Sequence, residues 1–144
     1  MNIRYMEIPE LNKVIDLWLE VNTEVHHKID KKYWLKHKDE VKESMENSNI
    51  YIMEHNNEII GFAGVTEGYY LAGIFIDKKY RSQGYGKSMI DYLKLKYDEL
   101  ILDVYEFNEE AIKFYEREDF GIIEININEE LQINEKTMAW PKEI

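Results

Sequence analysis

Residues 81–86 of this chain read Arg81-Ser82-Gln83-Gly84-Tyr85-Gly86, and they lie between two apolar segments. Leu71 to Ile76, before them, is typical of a strand, and Lys87 to Tyr97, after them, is typical of a helix. Glycine lets backbone N–H groups approach a ligand closely, because no Cβ stands in the way. The N–H groups at the start of a helix bind phosphate oxygens, and Arg81 adds charged donors. The loop therefore predicts a binding site for a phosphorylated ligand.

The composition predicts a folded protein with a single domain, residues 1–144. Hydrophobic residues make up 44% of the chain and aromatic residues 13%, which is enough for a packed core. The net charge of −11 opposes non-specific binding of nucleic acid, because that requires clustered Lys and Arg. Such a charge is compatible with a cationic partner such as an amine, although acidic surfaces most often serve solubility alone.

The chain contains no cysteine, which excludes disulfides, thiolate metal sites and a covalent relay through a cysteine nucleophile. No apolar run approaches the ~18 residues that a membrane span requires, and residues 1–5 show no apolar signal core. We therefore expect a cytoplasmic protein with no membrane partner.

The adjacent His26 and His27 raise the question of a metal site. Neighbouring side chains point in different directions in a helix or a strand, and no cluster of Asp, Glu or His at ligand spacing accompanies them. We therefore expect no metal and assign the pair to the loop between the first two helices.

Hydrophobic periodicity and turn residues predict the order β-α-α-β-β-β-α-β-α-β-β. The predicted strands are Ile3 to Met6, Ile50 to His55, Ile59 to Thr66, Tyr69 to Ile76, Leu100 to Val104, Phe120 to Ile127 and Lys136 to Trp140. The predicted helices are Glu10 to Asn22, Asp30 to Glu46, Lys87 to Tyr97 and Glu109 to Arg117. This order predicts the α/β (α+β) class, with a mixed, largely antiparallel sheet and helices on both of its faces.

The end of the loop, Gly86-Lys87-Ser88, resembles the end of a nucleotide-binding P-loop. Leu100 to Asp103 likewise resembles the apolar strand that ends in a magnesium-binding Asp in such proteins. However, Arg81 stands where the first glycine of a P-loop belongs, and the antiparallel meander upstream leaves too little chain for a parallel sheet. A P-loop protein would use Lys87 and Asp103 and would bind ATP or GTP with magnesium, and we consider it the weaker interpretation.

The loop satisfies the pattern Q/R-x-x-G-x-G/A in full, at Arg81, Gly84 and Gly86. An apolar strand ending at Asp77 precedes it, and Asn108 to Glu116 is similar to the signature N-x-x-A-x-x-F-Y-x. With these three elements in this order, the chain resembles the GNAT N-acetyltransferase superfamily over essentially its whole length.

Three further segments are shared with the small bacterial YiaC-like acetyltransferases of that superfamily: Leu17 to Glu20, Glu67-Gly68 and Trp140-Pro141. One position departs from the family pattern. Relatives usually have Gly before the Phe that follows the last helix, where this chain has Asp119. That Gly serves a left-handed helix terminus, a conformation that Asp tolerates better than most residues.

The resemblance implies the GNAT fold and acetyl-CoA as the donor. The pyrophosphate of the donor would lie on the backbone N–H groups of residues 81–87. In this family the central strand splays from its neighbour, so that free backbone groups near Ile74 and Ile76 would pair with the pantetheine arm. Asn108 would contact that arm, and it can also be a helix N-cap. The implied donor-binding residues are Ile74, Phe75, Ile76, Arg81, Ser82, Gln83, Gly84, Tyr85, Gly86, Lys87, Asn108 and Tyr115.

The implied reaction is direct transfer of the acetyl group to a primary amine in a ternary complex. The amine must first lose a proton, since an ammonium of pKa about 10.4 has no lone pair. Tyr115 matches the family tyrosine that protonates the leaving thiolate or orients the sulfur, although it can also be a core aromatic residue. Tyr70 would line the acceptor site, and Glu67 would act as a base through water unless this turn carboxylate is merely solvated. Tyr115, Tyr70 and Glu67 are thus the implied catalytic residues.

Two matters stay open at this level. A non-catalytic acyl-CoA-binding sensor with the same fold would share every motif, and only the presence of Tyr115 favours the enzyme. The acceptor amine can belong to a protein lysine, a peptide N-terminus, a polyamine or an antibiotic, and the YiaC-like resemblance favours lysine. The oligomeric state, monomer or homodimer, leaves no mark in the sequence.

Overall fold

A computed structural model describes residues 1–142, in which the chain forms one seven-stranded sheet and four α-helices. The strands are β1 (Asn2–Tyr5), β2 (Asn49–His55), β3 (Glu58–Thr66), β4 (Tyr70–Ile76), β5 (Leu100–Tyr105), β6 (Gly121–Asn128) and β7 (Ile133–Trp140). The helices are α1 (Leu11–Val25), α2 (Lys31–Glu46), α3 (Tyr85–Lys96) and α4 (Glu109–Arg117). Short 3₁₀ turns occupy Ile8–Glu10 and Lys78–Tyr80. Within the described part of the chain, no helix is long and apolar enough to cross a membrane.

The sheet has the order β1-β2-β3-β4-β5-β7-β6. Strands β1 to β4 form an antiparallel meander, and β5, β7 and β6 form a second antiparallel group. The two groups meet where β4 lies parallel to β5. The prediction of a mixed, largely antiparallel sheet is therefore confirmed.

Helices cover both faces of the sheet, as predicted, because side chains along each strand alternate between two cores. In β2, Tyr51 and Met53 pack with α3 and α4, whereas Ile50 and Ile52 pack with α1 and α2. In the first core, α3 and α4 contribute the side chains of Met89, Ile90, Leu93, Ile112 and Tyr115. In the second core, α1 and α2 contribute the side chains of Leu11, Val14, Ile15, Leu17, Trp18, Val21, Trp34 and Met45.

Each predicted helix and strand is present, and three boundaries move by two or three residues. Helix α1 continues to Val25 because Asn22 is buried and donates its side-chain amide to the Trp18 carbonyl inside the helix. Helix α3 begins earlier, at Tyr85. Strand β7 begins earlier, at Ile133, because its polar first residues pair with β6 at a sheet edge where no alternation of polar and apolar residues is required.

The C-terminal end of α4 shows how Asp119 replaces the family glycine. Asp119 takes a left-handed conformation with φ of 71°. The N–H of Phe120 donates to the Tyr115 carbonyl at 3.0 Å and the N–H of Asp119 to the Glu116 carbonyl at 3.1 Å, the two bonds of a Schellman motif. The rings of Phe120 and Tyr115 pack with centroids 5.4 Å apart. This turn therefore helps to hold Tyr115 in place.

We predict that Asp119→Val lowers the free energy of unfolding by about 1–2 kcal/mol, because a β-branched residue is strained at positive φ. Asp119→Gly should not lower it, since glycine adopts this conformation freely. Urea denaturation of the two variants and the wild type measures the difference. Equal stability of the Val and Gly variants would contradict the assigned turn.

Candidate functional site

The sheet is split between β4 and β5. The two strands pair at a single position, Tyr70 with Ile101, and then diverge. The N–H of Ile101 donates to the Tyr69 carbonyl at 2.9 Å, which closes one end of the split. The split opens into a cleft of ≈ 720 Å³ lined by β4, β5, α1, α4 and the loop before α3.

Backbone groups of β4 face this split. The N–H of Asp77 donates to Ile60 of β3 at 2.8 Å, and hydrogen-bonded residues alternate along an antiparallel pair. Ile74 and Ile76, which oppose β3 at the intervening positions, therefore direct their N–H and C=O groups away from β3. The Ile76 carbonyl accepts a bond from the Arg81 Nε at 2.9 Å. The backbone groups of Ile74 and the N–H of Ile76 are left for a partner within the cleft.

The loop between β4 and α3 presents a second set of donors. Ser82 and Gly84 have positive φ values of 62° and 87°, and Gly84 is the N-cap of α3. The N–H of Ser88 is the first of α3 to bond within the helix, to the Gly84 carbonyl at 3.1 Å. The preceding N–H groups of residues 85–87 have no helical acceptor, and these residues line the cleft. This arrangement binds anions well.

The charged and polar side chains of this loop have protein partners. The Arg81 Nη2 lies 3.5 Å from Glu24 Oε1 of α1. The Lys87 Nζ lies 3.3 Å from Glu118 Oε1, and this carboxylate raises the pKa of Lys87. Gln83 donates to the Lys79 carbonyl at 3.1 Å and is the one predicted donor-binding residue that does not line the cleft. The backbone of the loop is thus freer to meet a ligand than its side chains.

Helix α4 contributes Asn108 and Tyr115 to the cleft. Asn108 is its N-cap, and the Asn108 Oδ1 accepts the N–H of Ala111 at 3.2 Å. Tyr115 is only 8% exposed, and burial raises the pKa of its phenol. Among residues 1–142 no hydrogen-bond partner of the Tyr115 hydroxyl is found. Asn108 is therefore a helix cap and Tyr115 is a core aromatic residue, as the structural alternatives from the sequence had it. Both residues also line the cleft.

Of the two residues predicted for the acceptor side, Tyr70 lines the cleft and Glu67 does not. The Tyr70 hydroxyl donates to Asp103 Oδ2 of β5 at 2.8 Å, and both residues line the cleft. Burial, and then this bond, raises the pKa of Tyr70. Glu67 lies in the β3–β4 turn, beyond the closed end of the split, with the Tyr69 hydroxyl 3.3 Å from its Oε2. Glu67 does not line the cleft.

Several cleft residues were not predicted as functional under the acetyltransferase interpretation, and Asp103 and His26 are the two with the most distinctive surroundings. Asp103, which was considered only for a P-loop, accepts hydroxyl bonds from Tyr70 and Thr137. His26 lies at the C-terminal end of α1 rather than in a free loop, and burial lowers its pKa to about 4. Because side chains alternate along a strand, the sequence of β5 could have shown that Asp103 points to the face opposite the apolar Leu102 and Val104. No local signal could have placed His26 next to β5.

The P-loop interpretation fails on this geometry. Lys87 pairs with Glu118 of α4, whereas Asp103 is held by hydroxyl groups of β4 and β7. The strands around the loop are antiparallel except for the single contact of β4 with β5. Within residues 1–142 there is no group of three or more His, Asp or Glu side chains arranged to hold a metal ion.

Comparison with known proteins agrees with this geometry. A family model described as an acetyltransferase (GNAT) domain matches residues 46–122, more than half of the chain. Peptidyl-lysine N-acetyltransferase YiaC of Escherichia coli (strain K12) is 31% identical over 140 residues, which cover 96% of this chain and 96% of that protein.

Solved structures show the same fold. The solution structure of apo-form YjaB from Escherichia coli has a TM-score of 0.83 at 19% identity and covers 97% of both chains. A GNAT family acetyltransferase from Elizabethkingia anophelis, crystallised with acetyl-CoA bound, has a TM-score of 0.72 at 17% identity and covers 96% of this chain and 95% of its own. The resemblance found in the sequence is confirmed: the chain belongs to the GNAT acetyltransferase family and is an N-acetyltransferase.

Proposed function

We propose that this protein transfers an acetyl group from acetyl-CoA directly to the side-chain amine of a peptidyl lysine, within a ternary complex. The observation that carries the proposal is the split between β4 and β5, with unpaired backbone donors along one wall and an acidic group on the other. The whole of residues 1–144 acts as one catalytic domain in this proposal.

The cleft fits the donor. The N–H groups of Ile74 and Ile76 are available to the amide carbonyls of a pantetheine arm, as an added strand would be. The free N–H groups of residues 85–87 and the dipole of α3 suit the pyrophosphate. A Cβ at Gly86 would lie 3.3 Å from the Phe114 ring, so this glycine keeps α3 close to α4 at the place where the donor binds.

The residues that are present support direct transfer. Acetyl-CoA supplies the activated thioester carbonyl, and no cysteine exists to accept the acetyl group first. The cleft extends without interruption from the loop at Ser82 to Asp103 on β5, so that donor and acceptor can both occupy it. The amine nitrogen then forms the new bond to the acetyl carbon as the bond from that carbon to sulfur breaks; the nitrogen loses one proton to water, and the sulfur leaves as a thiolate that must gain one.

Asp103 is our candidate for the group that receives the acceptor amine. Its carboxylate lies in the cleft and is oriented by the hydroxyls of Tyr70 and Thr137. It would bind the lysine ammonium and pass its proton to water before attack. Glu67, the candidate base from the sequence, lies in the β3–β4 turn and does not line this cleft, and we therefore propose Asp103 in its place. Tyr70 then acts by positioning Asp103.

Tyr115 is our candidate for the general acid. The leaving thiolate needs a proton, and a buried phenol with a raised pKa keeps its proton throughout the physiological range. Its side chain lines the cleft on the donor side, and the Schellman turn at Asp119 and the Phe120 ring fix its position.

A lysine side chain suits the acceptor half of the cleft. Trp34 and Tyr105 offer apolar surface to its methylene stem, and the carboxylates of Asp103 and Glu135 attract its charge. The relative from Escherichia coli named above is a peptidyl-lysine N-acetyltransferase, which supports the same acceptor for this chain.

The first prediction from the proposed function concerns the donor. In calorimetric titrations, acetyl-CoA should bind, and magnesium-ATP should not compete with it at equal concentration. Gly84→Val should weaken binding of acetyl-CoA by roughly tenfold or more, because the left-handed N-cap of α3 is then strained. Gly68→Val is the matched control, at positive φ in the β3–β4 turn away from the cleft. Equal effects of the two substitutions would contradict the assigned anion site.

The second prediction concerns the acid. Tyr115→Phe should lower kcat by about 10²–10⁴-fold, since it removes the proton donor, and leave the affinity for acetyl-CoA within a few-fold. Tyr92→Phe is the control, because Tyr92 packs against the same core on α3 but does not line the cleft. Unchanged turnover in Tyr115→Phe would remove Tyr115 from this role.

The third prediction separates the two carboxylates. Asp103→Asn should lower kcat/KM for a lysine peptide by roughly 10–100-fold, because the isosteric amide keeps the shape but loses the charge that binds the ammonium. Glu67→Gln should stay close to the wild type. The reverse pattern would restore Glu67 and exclude Asp103.

A further inference from the structure

The last turn of α1 contacts both sides, or arms, of the split. The role proposed below for this turn rests on the function proposed above. One arm is β4 with the loop that follows it, and the other is β5 with the N-terminus of α4. Apart from their single contact at Tyr70 and Ile101, β4 and β5 do not pair within the described sheet. Any group that joins the two arms at the open end therefore controls how far apart they stand.

A chain of four hydrogen bonds joins α1 to α4. The Asn22 Nδ2 donates to the Trp18 carbonyl at 3.1 Å, and the His26 Nδ1 donates to Asn22 Oδ1 at 3.0 Å. The Asn108 Nδ2 donates to His26 Nε2 at 3.2 Å, and the Ala111 N–H donates to Asn108 Oδ1 at 3.2 Å. The direction of every bond is consistent with a neutral imidazole protonated at Nδ1. His26 thus fixes the side chain that caps α4, the helix of Tyr115.

The imidazole of His26 is enclosed by aromatic rings. Its centroid lies 5.7 Å from that of Trp34 in a stacked arrangement and 4.9 Å from that of Tyr105, edge to face. The Phe107 ring lies 6.0 Å away. Such an enclosure holds the ring in one orientation, so that both nitrogens can be used at once.

The same turn of α1 meets the other arm through Glu24. Its Oε1 lies 3.5 Å from Arg81 Nη2, and its Oε2 lies 3.8 Å from Lys78 Nζ. Arg81 in turn donates through Nε to the Ile76 carbonyl at the end of β4. Glu24 and His26 are two residues apart, so a single helical turn reaches the ends of both diverging strands.

We propose that His26 is a positioning residue for acetyl transfer. Its bond to Asn108 holds the N-terminus of α4 against α1, while Glu24 holds the end of β4, and together they set the distance across the split at which Tyr115 faces the donor on β4. In this proposal His26, although it lines the cleft, acts through Asn108 and α4 rather than directly on a substrate.

The test compares three variants. His26→Phe keeps an aromatic ring in the enclosure but removes both hydrogen bonds, and it should lower kcat/KM roughly tenfold at a temperature well below unfolding. His26→Gln, whose Oε1 can accept the Asn108 amide, should recover activity to within about threefold of the wild type. His27→Phe is the matched control, because the neighbouring His27 is exposed and does not line the cleft; it should behave as the wild type.

Hydrogen exchange provides a readout that does not depend on activity. In His26→Phe the Ala111 amide, which Asn108 caps, should exchange roughly tenfold faster than in the wild type, and in His26→Gln it should not. Asn108→Ser keeps a capping oxygen and loses the bond to His26, so adding His26→Phe to it should cost no further activity.

Wild-type activity and wild-type exchange at Ala111 in a folded His26→Phe would overturn the proposal, as would lost activity with unchanged exchange. A further loss in the double variant would also overturn it. If the wild type itself fails to transfer acetyl groups, the function proposed above is wrong, whereas the exchange of Ala111 still decides whether His26 holds α4.

Discussion

The structure depends on one constraint: β4 and β5 share a sheet, yet they form hydrogen bonds only where they begin. Backbone N–H and C=O groups inside a protein almost always find partners. The N–H and C=O of Ile74 and the N–H of Ile76 have none within the described residues. A ligand with an extended, amide-bearing arm would satisfy them, which is how a split in a sheet can serve as a binding site. The glycine loop and α4 follow the two strands directly, so both lie at the open end.

The chemistry is divided between the two arms. In the function proposed above, the arm of β4 would offer backbone donors to acetyl-CoA, whereas β5 and α4 would offer side chains, Asp103 toward the acceptor and Tyr115 toward the sulfur. Burial keeps the Tyr115 phenol protonated, and a pair of hydroxyls orients the Asp103 carboxylate. Because the groups that must cooperate stand on separate arms, the distance between the arms matters as much as the identity of the residues. The contacts of His26 and Glu24 across the open end give α1 a part in setting it.

Local sequence patterns were sufficient for the order of helices and strands, for the glycine loop and for the N-cap at Asn108. These features depend on residues within a few positions of one another, such as Gly84 at the start of α3 or Asp119 at the end of α4. Long-range pairings were not predictable in the same way. The sequence predicted a ligand on the backbone of Lys87, but it did not indicate that the Lys87 side chain bonds to Glu118, 31 residues away.

The position of Glu67 shows the same limit, because the sequence alone does not indicate that the β3–β4 turn lies at the closed end of the split and outside the cleft. His26 is bonded to Asn108, 82 residues further along the chain, and nothing in its own neighbourhood indicates that contact. The central claim concerns the backbone of β4, and amide hydrogen exchange measures it most directly. On addition of acetyl-CoA, exchange at Ile74 and Ile76 should slow strongly, while Asp77, already bonded to Ile60, should change little. Binding of acetyl-CoA with unchanged exchange at Ile74 and Ile76 would contradict the account.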